Sequence, residues 1–389
     1  MPRLPIESAS ATRVTINGQN LLAFGGCNYL GLGQDPAVHA ALIAALPDFG
    51  ISTTASRETT GNTLAHEELE STLSRFLEQE HAILSAEGYT ANFIALQTIA
   101  QTCRIALIDS QAHRSIRHAA IAAGMQVFDY EHLSPASAQW LVGQYADQGI
   151  AVITDSVFAA DGAIAPLPAL LSVLPAKRSF LLVDDCHGFC VLGRGGRGAV
   201  NHFGLDDPRI VITTTLAKGL GCYGGVVAGR RTFIDQAQQT AWVYRGSTPV
   251  PPAIARACTS AVSLLEADSP ATGRNATLRK NIQSMRTGFV SLGLPLPPEG
   301  VPIFTFTLAS EPMMQRVYSR LLSRGILAPL IEYPGGPAPL YFRVVVNAMH
   351  TTAEIEKLIG FLAEEIASDR ATSQAARSER TSLEVAGLR

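Results

Sequence analysis

A chain of 389 residues with 47% hydrophobic and 16% charged side chains is long and apolar enough for two domains with a substantial core, which excludes a disordered protein. The net charge of -3 offers no footprint for nucleic acid, and no run of residues is long and apolar enough to span a bilayer. Residues 1–20 lack the basic, apolar and small-residue regions of a signal peptide, and the six cysteines contain no Cys-x-x-Cys pair and make no disulfide framework, so the expected location is the cytoplasm.

In chain order, residues 12–24 alternate like a short hairpin with Asn17-Gly18 as its turn, and Asn28-Tyr29-Leu30-Gly31-Leu32-Gly33 reads as a loop laid over a site. A helix is predicted from Pro36 to Leu46, and residues 66–78 put Leu69, Leu73, Phe76 and Leu77 on one helical face. Short apolar runs at 82–84, 105–108, 151–154, 180–184, 210–213 and 226–228 alternate with helical stretches, a rhythm that predicts a mostly parallel sheet flanked by helices. Gly193-Arg194-Gly195-Gly196-Arg197-Gly198 fits the dinucleotide pattern, but no strand runs directly into it, so it is read as a flexible loop. Beyond Pro252 the pattern changes to a smaller α+β domain: a helical stretch from Ala253, a strand at Ile303–Leu308, a helix at Met313–Arg324, a strand at Tyr341–Val346 and a closing helix at Glu354–Ile366. The expected organisation is therefore an N-terminal arm over 1–36, a large cofactor-binding domain over 37–252, a small C-terminal domain over 253–367, and a Ser-, Arg- and Ala-rich tail over 368–389 that leaves a solvated helix end for disorder.

Two strand ends carry the chemistry. The run Ile210 to Thr215 delivers Lys218 to a crevice, followed by Gly219, Gly221, Gly224 and Gly225, which let backbone approach closely. Burial disfavours an ammonium, and a covalent imine with pyridoxal 5'-phosphate removes that cost, while Thr213, Thr214 and Thr215 offer hydroxyls to an anionic group. The competing reading is a surface lysine at a turn. In the run Ser179 to Gly188, Asp184 ends a strand, where open α/β sheets bind ligands, and can keep the cofactor's ring nitrogen protonated. His187, three residues on, can reach the cofactor's ring oxygen. The adjacent Asp184-Asp185 pair could instead hold a metal, although no further ligand follows at a suitable spacing, and Cys186 and Cys190 read as small thiols beside a site.

With these residues placed, the chain resembles the α-oxoamine synthases, pyridoxal phosphate enzymes of the aspartate aminotransferase fold (fold type I), over residues 12–365. The resemblance rests on Asn28-Tyr29-Leu30-Gly31-Leu32, Ser56-Arg57 with Gly61 and His66-Glu67-Glu68-Leu69-Glu70, Gly88-Tyr89-Thr90-Ala91-Asn92, His113-Arg114-Ser115-Ile116, Asp161-Gly162, Pro166-Leu167-Pro168, Val183 to Gly188, Val191-Leu192-Gly193, Thr215-Leu216-Ala217-Lys218 and Ser247-Thr248, in the family's order. It implies that Lys218 binds the cofactor and moves protons, Asp184 pairs with the ring nitrogen, His187 touches the ring oxygen and His113 stacks on the ring. Gly88, Tyr89 and Thr215 would hold the phosphate, Ser247 and Thr248 would reach the phosphate of a partner subunit, and Asn28 and Arg343 would face the substrate. Asp155, one methylene shorter than the family's glutamate, stands at a cofactor-binding position, Ala159 and Ala217 replace hydroxyl residues, and Glu87 puts an acid beside the phosphate, from which it must point away. The implied reaction is the condensation of an amino acid with an acyl-CoA in a homodimer with shared sites. The alternatives are a fold type I reaction without CoA and a non-catalytic partner subunit. The family's oxononanoate synthases carry an additional arginine where Ile331 stands here, so a neutral acyl thioester is expected.

Overall fold

The computed structural model describes residues 5–385, and the side chains of all of these except 146 and 369–385. The N-terminal strands are β1 (Ser8–Ala9), β2 (Arg13–Ile16) and β3 (Gln19–Ala23), with β2 and β3 joined as the expected hairpin. Asn17 and Gly18 have φ of 50° and 70°, the left-handed pair that a two-residue hairpin turn requires. A helix follows at Pro36–Phe49, capped by the Asp35 carboxylate on the Ala37 amide, and another at Leu64–Phe76. In the latter Leu69, Leu73 and Phe76 are fully buried, as their shared face predicts.

The central sheet contains β4 (His81–Ser85), β5 (Ile105–Asp109), β6 (Gln126–Tyr130), β7 (Ile150–Asp155), β8 (Ser179–Asp184), β9 (Ile210–Thr215) and β10 (Gly225–Gly229). Their order is β4-β10-β9-β8-β7-β5-β6, with β10 antiparallel to both neighbours and every other pair parallel. The six apolar runs are all strands. The seventh, β6, lies at the sheet's edge, where Gln126 and Asp129 are exposed and break the apolar signal. Successive residues of the inner strands enter two different cores. Leu107, Val152, Leu181, Val183 and Ile212 belong to one, and Ile108, Ile153, Leu182 and Val211 to the other. A sheet covered on both faces needs apolar side chains in both directions, which is why these strands read as continuous runs.

The C-terminal region adds β11 (Ile303–Phe306), β12 (Ile326–Leu327), β13 (Leu330–Ile331) and β14 (Tyr341–Val345), with β11, β14 and β13 forming an antiparallel sheet. The N-terminal arm does not stand alone: β12 pairs in parallel with β3, Ile326 against Leu22. The tail expected from 368 onward is instead the continuation of one helix, Thr352–Val385. Its sequence is rich in Ala, Glu, Ser and Arg and contains no Gly or Pro between Phe361 and Val385, so no helix breaker stops it. Residues 386–389 of that expected tail lie outside the described residues.

Because Leu181 and Leu182 point into opposite cores and both are fully buried, Leu181→Ala and Leu182→Ala should each lower unfolding free energy by about 2–5 kcal/mol. Urea denaturation checks this, and a negligible shift at either position would show that face of the sheet to be open.

Candidate active site

Strands β7, β8 and β9 end side by side, in a register that sets Asp155 beside Asp184 and Asp184 beside Thr213. Asp184 is buried, and a buried carboxylate needs donors. Its Oδ2 accepts from Asn92 Nδ2 at 2.8 Å and its Oδ1 from the Cys186 amide at 3.1 Å. Asn92 is fully buried on the helix Gly88–Ile99, donates also to Ser115 Oγ at 2.9 Å, and accepts from Thr213 Oγ1 at 2.7 Å. Ser115 in turn meets His113 Nδ1 at 2.7 Å, and the His113 amide donates to Asp155 at 3.2 Å. Burial, reinforced by the charge of Asp184, pushes Asp155 well above the ordinary carboxylate range. Burial also holds His113 below the usual histidine value, with Asp184 pulling the other way.

Lys218 follows β9 and places Nζ 2.9 Å from His187 Nε2. The other ring nitrogen, Nδ1, lies 2.7 Å from the hydroxyl of Tyr29, which is fully buried. Burial and the cations Lys218 and Arg343 hold His187 well below its ordinary value, so the ring is neutral. The sequence reading expects burial to disfavour the Lys218 ammonium. Burial does act that way, but the acidic groups of Cys186, Cys27, Asp184 and Asp155 outweigh it and raise the lysine above its usual value.

One cavity of about 250 Å³ has Gly88, Tyr89, His113, Asp155, Asp184, His187, Thr215 and Lys218 all in its wall. Gly88 and Tyr89 begin a 12-residue helix, whose free amides favour an anion. A Cβ on Gly88 would stand 2.7 Å from the Thr215 Cβ, so only glycine lets the chain pass there. Thr215 Oγ1 donates to the Gly224 carbonyl and accepts from the Ala217 amide, both at 3.2 Å. Glu87 stays in the wall at the rim, but it is exposed, where water screens its charge. Cys186 lines the cavity, in keeping with a thiol beside a site.

Not every residue singled out in the sequence reaches the cavity. Thr213 and Thr214 do not face the cavity: Thr213 serves Asn92, and Thr214 donates to the Asp185 carbonyl at 3.2 Å. Asp185 turns away from Asp184, and its Oδ2 accepts from the Ala199 amide at 3.1 Å beneath the glycine loop. Among the described residues no group of three or more His, Cys, Asp and Glu could hold a metal. The loop 193–198 is tightly packed rather than flexible, because a Cβ on Gly198 would stand 2.0 Å from Asp185 Oδ2 and one on Gly196 2.9 Å from the Cys190 backbone. Ser247 and Thr248 lie outside the cavity of their own chain, as do Asn28 and Arg343. Asn28 donates to Gln34 at 2.6 Å and leaves its Oδ1 buried without a partner. Arg343 leaves Nε and Nη2 buried without a partner among the described residues. His66 is a helix-start residue: its Nε2 meets the Val250 carbonyl at 2.7 Å, and its Nδ1 the Thr63 hydroxyl at 3.1 Å. Sequence reasoning missed Asn92, Ser115 and Tyr29. The available signal was an asparagine one turn into the helix that starts at Gly88 and a hydroxyl two positions from His113.

The family model of aminotransferase class I and II matches residues 19–362. The 8-amino-7-oxononanoate synthase of Pseudomonas aeruginosa is 36% identical over 92% of this chain and 89% of its own length, and that of Thioalkalivibrio sulfidiphilus 33% identical over 92% and 91%. The chain belongs to the aminotransferase class I and II family, among its α-oxoamine synthases. A solved structure similar to this α-oxoamine synthase is serine palmitoyltransferase from S. paucimobilis with bound PLP (TM-score 0.87, 25% identity, 95% of this chain and 93% of that one). The enzyme from Sphingomonas wittichii superposes with a TM-score of 0.86 at 26% identity, over 95% and 92% of the two chains. Pyridoxal phosphate suits the site: the donor set at Gly88, Tyr89 and Thr215 fits its phosphate, Asp184 fits a protonated ring nitrogen and Lys218 fits its aldehyde carbon.

Burial also pushes Asp185 from 3.8 up to about 7. A raised carboxyl stabilises the fold fully at low pH and loses that contribution as pH rises through the raised value. Asp185→Asn removes the titration, so its melting temperature relative to wild type should climb as pH rises from 3.8 to about 7. Parallel melting curves across that range check this, and a constant difference would contradict it.

Proposed function

We propose that this chain is a pyridoxal phosphate-dependent acyltransferase that joins an amino acid to the acyl group of an acyl-CoA, releasing CoA and, from the amino acid, carbon dioxide. The observation that carries the reading is the convergence of Lys218, Asp184, His113 and the Gly88 helix start on one cavity. When bound, pyridoxal phosphate draws electrons from the amino acid's α-carbon. Lys218 would hold the cofactor through Nζ, and its free amine would take the α-proton. Asp184, held by Asn92 and the Cys186 amide, would face the ring nitrogen. Asp155, its carboxyl pushed well above the ordinary range by burial, accepts from the His113 amide and so holds the residue that would cover the ring. The amides of Gly88 and Tyr89 and the Thr215 hydroxyl bind the phosphate.

Arg343 has two adjacent guanidinium donors buried and unused, the arrangement that a substrate carboxylate would fill, with Asn28 next to Tyr29 as a second contact. A homodimer with shared sites is part of this reading, in which Ser247 and Thr248 serve the partner's phosphate. Ile43, Ile51, Leu64 and Trp242 are 65%, 83%, 73% and 71% exposed, apolar surface that a second copy would cover. We place the enzyme in the cytoplasm; its six cysteines are free thiols, and among the described residues no helix is long and apolar enough to cross a membrane.

Reduction with borohydride after addition of pyridoxal phosphate should fix the cofactor on Lys218, read by peptide mass, while Lys218→Ala folds and takes no label. Modification at another lysine, or none in wild type, would sink the assignment.

The acyl group is proposed to be uncharged. Ile331 is half-buried opposite Tyr341 and brings no cation to the site. Neutral acyl-CoAs should therefore turn over faster than pimeloyl-CoA, and the reverse preference overturns this choice. A hydrogen bond to a charged group contributes about 1.5–3 kcal/mol, so Arg343→Ala should weaken amino-acid binding about tenfold or more while cofactor uptake is unchanged.

A further inference from the structure

His187 stands at the centre of a buried chain of three groups, Tyr29 Oη, the imidazole, and Lys218 Nζ, with contacts of 2.7 and 2.9 Å. The imidazole is neutral and so carries one proton on one of two nitrogens, which fixes the direction of every bond in the chain. Without cofactor the Lys218 ammonium can only donate, so Nε2 accepts, Nδ1 bears the proton, and Nδ1–H donates to the Tyr29 oxygen. A cofactor ring oxygen is an acceptor, so once the cofactor is bound Nε2 must bear the proton and Nδ1 must accept. Only a partner that both accepts and donates can satisfy Nδ1 in both states, and a hydroxyl does so by turning its O–H bond.

We propose that Tyr29 is the positioning residue of the active site, whose hydroxyl holds the His187 ring by Nδ1 and reverses its hydrogen bond when the cofactor binds, switching His187 from the Nδ1–H to the Nε2–H tautomer. The inference rests on the reading in which pyridoxal phosphate occupies this cavity with its ring oxygen toward His187. Tyr29 is suited to the task. Burial, and after it the neighbouring Cys27, keep its phenol well above its ordinary value and hence protonated, so the hydroxyl retains the proton it must donate. The groups that act on His187 are Lys218, Arg343 and His113, all cations or bases, and none supplies a carboxylate that could orient Nδ1 in place of Tyr29. Tyr29 is itself anchored from the other side, because its carbonyl accepts from the Ala348 amide at 2.8 Å. Its hydroxyl therefore connects the C-terminal part of the chain to the reactive lysine.

The test is nitrogen-15 NMR of the full-length protein with labelled histidine, the His187 signals being assigned by their loss in His187→Gln. Wild type should show Nδ1–H without cofactor and Nε2–H after addition of pyridoxal phosphate. In Tyr29→Phe the ring has no partner at Nδ1, so neither state should give a single tautomer. The kcat of this variant should fall about tenfold, the loss expected for one hydrogen bond, with the amino-acid KM within about twofold. A Tyr29→Phe protein that switches as wild type does overturns the proposal. So does a wild-type ring that keeps one tautomer although mass analysis shows Lys218 modified, and this measurement needs no variant. Absence of modification at Lys218 would instead count against the cofactor reading itself.

Discussion

The buried charge of Asp184 is the constraint on which the site depends. A carboxylate out of water must be given donors, and the chain supplies them from two directions: Cys186 from its own strand end, and Asn92 from the helix that starts at Gly88. The Asn92 bond does more than solvate a charge. It fixes the rotation of that helix against β8 and β9, and so aims the helix amides at the Thr215 hydroxyl. Through Ser115 the same asparagine reaches His113. The anion-binding end, the aromatic cover and the acid of the site are thus parts of one hydrogen-bonded network rather than separately evolved contacts, and removal of any member leaves a buried donor or acceptor unpaired.

Neighbouring acids with different surroundings take different roles. Asp184 and Asp155 stand side by side on parallel strands, and burial beside that neighbour raises Asp155 well above the ordinary carboxylate range. Asp185, one position along, leaves the site altogether and becomes the peg around which the glycine loop 193–198 is wound. The glycine spacing that imitates a dinucleotide motif is accounted for by this carboxylate, since side chains at Gly196 and Gly198 would collide with Cys190 and Asp185.

Much of this was legible in the sequence because burial on both faces of a sheet leaves continuous apolar runs. Those runs located six of the seven strands of the central sheet, and their ends located Asp184 and Lys218. Edge strand β6 was not legible, since half of its side chains meet water and its pattern is that of a loop. Nor were Asn92, Ser115 and Tyr29, whose meaning depends on what lies across from them in space. A threonine run looks like a set of hydroxyls for one anion, yet a strand turns alternate side chains to opposite sides, so Thr214 could not share the orientation of Thr215, and Thr213, on the same side as Thr215, is taken up by Asn92. The persistence of the last helix past residue 368 reflects helix propensity, which a reading based on composition undervalued.

The pairing of β3 with β12 sets the order in which this molecule can be completed. Leu22 emerges from the ribosome long before its partner Ile326. Until then the hairpin presents an open edge, while the central sheet, built from local strand-helix-strand units, can already form. Tyr29 sits a few residues beyond that hairpin and is held by Ala348, so its arrival beside His187 must be among the last events of folding. A chain cut before Ile326 and Ala348 would keep the residues that line the cavity and lose the contacts that hold Tyr29 beside His187.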